Sequence, residues 1–181
     1  MANICDTTYR ITGGRDSLND MEARIKKATK DSAWLGEIVK EYGGDPNAVH
    51  CRGELTYMEW GDPNAVLVLC CNTAWGEMPE FRHFLERQYG DICIFYTAVE
   101  PGCGVFCTND DNFANLWHVD ASRLDYGDFL TGDELVRQVR EAYRAEVNDI
   151  KDVLSFARWF NDQHPDGDEW INFNQMEITE D

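Results

Sequence analysis

Residues Val66 to Thr73, "VLVLCCNT", constrain this chain more than any other stretch. Eight residues of nearly continuous apolar character are too few for a membrane span and too rich in β-formers for a surface helix. They predict a strand covered on both sides or nearly so. The chain must therefore build a sheet around them. "GELTYMEW" lies upstream across a Gly61-Asp62-Pro63 connection, and such spacing predicts a β-hairpin.

The other elements follow from periodicity. "NICDTTYRITG", Asn3 to Gly13, alternates as a strand with one buried face. "GGRDSLNDMEARIKKATKDS" has Leu18, Met21, Ile25 and Ala28 at helical spacing, with Asp16 or Ser17 as the expected cap. Trp34 to Tyr42 predicts a short inserted helix stopped by Gly43-Gly44. "EMPEFRHFLERQYG" predicts a helix with Pro79 in its first turn and Phe81, Phe84, Leu85 and Tyr89 in one stripe. "DICIFYTAVE" is a further apolar strand, turned by "PGCG" into "VFCTND", and "NLWHVDAS" is expected to extend the same sheet. The order β-α-β-β-α-β predicts an α+β fold of the ferredoxin-like type, an antiparallel sheet with helices on one face.

Beyond Gly127 the pattern turns helical. Thr131 caps an expected helix with Leu135, Val139, Ala142 and Tyr143 on one side. A second stripe holds Ile150, Val153, Leu154, Ala157 and Phe160, with Phe156 and Trp159 beside it as an exposed apolar patch. "EWINFNQMEI" is a terminal strand candidate. The division expected is a ferredoxin-like domain over 1–126 and an acidic helical extension over 127–181 packed on it, the extension being too short for a comfortable core of its own.

The chain has 181 residues and a formal net charge of −18. Through Val119 it has 18 acidic and 10 basic residues; from Asp120 onward it has 16 and 6. Binding to a nucleic-acid backbone requires clustered cations, and this balance opposes it. Exposed aromatics on a sheet bind RNA elsewhere, but here they lack basic flanks. Acidity serves solubility, or it forms a face that imitates nucleic acid and docks a basic protein partner. The first residues show no basic segment followed by an apolar run, so a cytoplasmic setting is expected. Seven cysteines without signal-like features predict reduced thiols, with Cys5, Cys70, Cys71, Cys93 and Cys107 in strand-like runs as small apolar residues. Cys103 and Cys107 have no second pair at zinc-site spacing, so neither metal nor cofactor is expected.

Three stretches resemble a known family. "MANICDTTYRITG" is similar to the Pro-Asn-Trp-Cys-x-Asn opening and Gly-terminated first strand of the YubB-type ferredoxin-like proteins of phages and plasmids, with Asn3, Cys5 and Gly13 matching and Ile4 in place of the aromatic residue. "NTAWGEMPEF" resembles the family's Thr-Ala-Trp-x-Pro-Pro step at Thr73, Ala74 and Trp75, with the double proline reduced to a displaced Pro79. "YTAVEPGCGVFC" resembles its Tyr-x-Glu-x-Gly-x-x-Phe hairpin at Tyr96, Glu100, Gly102, Gly104 and Phe106. The resemblance spans about residues 1–110 and implies a ferredoxin-like protein of a mobile element, with no activity to carry over.

Two functional classes remain open. Hydrolase, phosphate-loop, dinucleotide and metalloprotease motifs are absent from the sequence. That favours a non-enzymatic interaction protein. The alternative is a small-molecule pocket, binding or catalytic, formed by Trp75, Tyr96, Glu100, His118 and Asp120. His118 and Asp120 share a strand face, and a His–carboxylate pair suits acid–base work, although a hydrogen bond on the sheet surface explains the same spacing. Trp75 is expected to close one end of the core or to edge that pocket.

Overall fold

The computed structural model describes residues 3–61 and 65–179. Asp62 and Pro63 of the expected hairpin connection lie outside the described residues. The strands are β1 (Ile4–Gly13), β2 (Gly53–Gly61), β3 (Val66–Ala74), β4 (Ile92–Glu100), β5 (Val105–Thr108), β6 (Trp117–Ala121), β7 (Phe129–Leu130), β8 (Ile171–Gln175) and β9 (Glu177–Ile178). The helices are α1 (Arg15–Ala28), α2 (Leu35–Glu41), α3 (Pro79–Glu86), α4 (Gly132–Tyr143) and α5 (Ile150–Gln163). The fold is α+β with sheets of six and three strands. Among the described residues no helix is long and apolar enough to cross a membrane. The chain divides into two compact units at Asp110/Asp111.

In the first unit the sheet runs β2-β3-β1-β4-β5, and each pair of neighbours is antiparallel. Period-2 alternation sorts its residues into rows across the strands. Leu55, Cys71, Thr7 and Ala98 form one row toward the core, and Trp60, Leu67, Ile11 and Ile94 form another. Leu18, Met21 and Ile25 of α1, Ile38 and Val39 of α2, and Phe81 and Leu85 of α3 complete that core. β2 slips by one residue between Leu55 and Tyr57. The bulge keeps Leu55, Met58 and Trp60 all turned to the core.

β3 is not covered on both sides as expected. Leu67, Leu69, Cys71 and Thr73 are buried, whereas Val66, Val68, Cys70, Asn72 and Ala74 are only half-buried, so its two faces differ. The residues buried in succession are instead Tyr96 to Glu100 of β4. α1 lacks the expected Asp16 or Ser17 cap. Its N-cap is Gly14, and the Asp91 carboxylate accepts from the Gly14 N–H (3.2 Å) and the Ser17 hydroxyl (2.7 Å), doing the capping from outside the helix. Among the described residues, which include all seven cysteines, no disulfide is formed. Cys93 departs from expectation, because it lies in β4 on the side away from the helices and is exposed.

The second unit begins earlier than the helical pattern indicated. β6 does not extend the first sheet; it lies between β7 and β8 in a sheet of its own. Val119, Ala121 and Phe173 from this sheet pack with Leu135 and Val139 of α4 and Val153, Ala157 and Phe160 of α5. That is a separate core. Thr131 caps α4 as expected, in a reciprocal box with Glu134. Trp159 is exposed and lies against Phe156 with ring centroids 5.8 Å apart.

Candidate functional site

The step from β3 into α3 is built from buried polar groups. Trp75 leaves the strand with φ +73°, in the left-handed region, and its side chain is 52% exposed. Its ring therefore does not close the core, contrary to the structural expectation. The following residues are pinned from below. The Tyr9 hydroxyl accepts from the Met78 N–H (3.2 Å), and Arg82 Nε donates to Glu77 Oε1 (3.1 Å). Arg82 also lies 5.3 Å from the Tyr96 ring centroid. Arg82 and Glu77 are both nearly inaccessible, and burial raises the Glu77 carboxyl above its ordinary range despite Arg82. Burial likewise raises Tyr9, with the Glu77 charge acting in the same direction.

Beside this step lies an open cleft of about 410 Å³ lined by Asn3, Ile4, Trp34, Arg52, Gly53, Glu54, Asn72, Thr73 and Ala74. Sheet register explains how residues so far apart in sequence meet. Ile4 pairs with Ala74, the Ala74 N–H donates to the Arg52 carbonyl (2.9 Å), and Trp34 bridges Glu54. Four neighbouring backbones thus set Ile4 and Trp34 on opposite sides of a floor that includes Gly53 and Ala74, with the two residues offset along the strands. Trp34 is held in place. Its ring lies over Gly36, where a Cβ would come within 2.4 Å of it, and Lys40 Nζ sits 5.0 Å from the ring centroid. Under the floor the Thr7 and Thr73 hydroxyls share a 2.6 Å hydrogen bond, and Thr73 also donates to the Cys5 carbonyl (3.2 Å).

The five residues expected to form a pocket have different local roles. Tyr96 is buried in the first core, and its N–H donates to Asn109 Oδ1 (2.7 Å). Glu100 accepts from the Cys103 N–H and so caps the turn after β4. His118 is buried in the second unit between the rings of Phe129 (5.5 Å) and Tyr126 (6.2 Å). Asp120, on the same face of β6, accepts from Trp170 Nε1 (2.6 Å) and Asn172 Nδ2 (3.4 Å). Trp75 alone follows directly on a cleft residue, Ala74. Glu77, Arg82, Trp34, Arg52, Glu54 and Asn72 were not singled out in the sequence. Glu77 and Arg82 had a readable signal, two opposite charges flanking the start of a predicted helix. Arg52 and Glu54 had another: they are the polar alternates in "CRGEL".

The chain matches no known family model, no curated protein and no solved structure.

Proposed function

We propose that the protein is a non-enzymatic interaction protein that docks a basic partner on the acidic surface of its second unit. One observation carries this reading. From Asp111 to Glu180 the sequence has 16 acidic and 6 basic residues, and three of those cations are already engaged. Arg123 pairs with Glu169 (2.6 Å), Arg137 with Glu141 (3.4 Å), and Arg140 donates to the Val147 carbonyl (2.7 Å). Asp125, Asp128, Asp133, Glu146, Asp162 and Asp166 stay exposed, and among the described residues none has an ion-pair partner. Such a surface steers a cationic partner at long range, and a row of carboxylates standing in for phosphates is one form of it. The structural roles of Glu100 and Asp120 favour this reading over acid–base chemistry at those positions.

The same proposal takes the first unit as ferredoxin-like. The order β2-β3-β1-β4, with helices after β1 and β3, supports that, and with it the resemblance of residues 1–110 to the YubB-type proteins of mobile elements. Seven cysteines with no disulfide among them support a reducing, cytoplasmic setting. The test is capture of partners from bacterial lysate by the full chain and by a variant with Asp125, Asp128, Asp162 and Asp166 changed to Asn. A basic protein retained at about 50 mM salt, released near 500 mM and lost with the variant is the expected result. Retention that ignores both salt and the variant would overturn the proposal, as would no retention at all.

A further inference from the structure

Acidic docking leaves the cleft in the first unit unused, although its groups are arranged for a ligand. Arg52, which directly precedes β2, and Glu54, the second residue of that strand, line it together, two residues apart and so at most about 7 Å apart at the backbone. They carry opposite charges, yet among the described residues neither has an ion-pair or hydrogen-bond partner for its side chain. Asn72, in register with Glu54, contributes a side-chain amide that is also unpartnered among those residues. Ile4 (63% exposed) and Trp34 (37% exposed) flank these polar groups, large apolar side chains facing water across a floor of Gly53 and Ala74.

We infer that this cleft binds a small zwitterion with an apolar body, of the class of the apolar α-amino acids. Arg52 takes the carboxylate, for which its planar fork is matched, Glu54 takes the ammonium group, and the side chain lies between Ile4 and Trp34. Charge selects this class over its neighbours. A simple anion would satisfy Arg52 but meet Glu54 and the nearby Asp6, which pairs with Asn72 in the sheet. A simple cation would leave Arg52 unpaired. A zwitterion satisfies both groups and meets no net repulsion from a chain of net charge −18. Size narrows it further: 410 Å³ is near the lower end of small-molecule sites, which suits one amino acid and not a dinucleotide. Trp34 needs little ordering on binding, because Gly36 and Lys40 already fix its ring.

The experiment is titration calorimetry of the full chain with L-phenylalanine, N-acetyl-L-phenylalanine and L-phenylalaninamide. Saturable binding of the free amino acid is expected, with each blocked form at least about 10-fold weaker, since each leaves one charged side chain unpaired. Arg52→Gln should abolish discrimination between acid and amide, and Glu54→Gln discrimination between amine and N-acetyl. Both side chains are exposed, so folding is not at stake, and the three-ligand comparison on the unaltered chain stands without them. No saturable binding of L-phenylalanine, L-leucine or L-tryptophan up to about 10 mM would overturn the inference. So would equal affinity for the three forms, or binding unchanged in Arg52→Gln. The Asp-to-Asn variant of the second unit should bind L-phenylalanine normally, which separates this site from acidic docking.

Discussion

Trp75 holds a backbone conformation that side chains other than glycine rarely adopt, at φ +73°, while more than half of its surface faces water. Its ring therefore offsets little of the strain it carries. Trp75→Ala and Trp75→Gly remove the same indole, but only glycine relieves the left-handed backbone. Trp75→Gly should be the more stable of the two by about 1 kcal/mol in denaturant unfolding. Two residues on, Glu77 and Arg82 pose a different problem. Removing one member of a buried pair strands the other, so Arg82→Met should destabilise the fold by about 3–5 kcal/mol. Glu77 also sets a pH dependence. Its carboxyl is raised above the ordinary 4.5 by burial, so the folded state holds the proton more tightly than the unfolded chain. Its contribution is fully present below pH 4.5 and is lost as pH rises through the folded value. In Glu77→Gln this falling component should vanish from stability measured between pH 4 and 7, leaving the slope set by other groups.

At the level of single elements, local signals were readable where the chemistry was local. Thr131 announces the start of α4 in sequence, and the structure adds Glu134 as its reciprocal partner, with Glu134 N–H to Thr131 Oγ1 at 3.3 Å and Thr131 N–H to Glu134 Oε2 at 2.9 Å. Thr131→Ala should destabilise the second unit by about 1 kcal/mol, seen as a lower denaturant midpoint with an unchanged slope. α1 shows the limit of the same reasoning. Its sequence offers Asp16 and Ser17 as caps, but the acceptor that serves its first turn, Asp91, comes from just ahead of β4, some 75 residues away in the chain. β3 illustrates a second limit. An apolar run predicts burial but not how many faces are covered, and only register separates Leu67 and Leu69 from Val66 and Val68. The cleft was illegible for that reason. Ile4, Trp34, Arg52 and Asn72 come from four segments joined by pairing, and nothing in any one segment names the others.

At the scale of the molecule, the division into two units was visible as a change of pattern, but its position was not. Trp117 to Ala121 has the composition of any short strand, and its partner Ile171–Gln175 arrives only after two helices, so periodicity could not reveal that β6 opens the second unit. Charge is the molecular property that sequence shows in full. A chain of net charge −18 repels itself, and the repulsion is concentrated after Asp111, where exposed carboxylates outnumber cations. Sodium chloride should therefore raise the melting temperature between about 20 mM and 500 mM, because the screening length shrinks from roughly 20 Å to about 4 Å over that range. Salt also strengthens apolar burial to some degree, which would raise the melting temperature of any protein. The variant with Asp125, Asp128, Asp162 and Asp166 changed to Asn separates the two causes. It keeps the same cores but carries four fewer negative charges, so its melting temperature should start higher at low salt and climb less. Parallel curves for the two proteins would mean that self-repulsion contributes little to the stability of the folded chain.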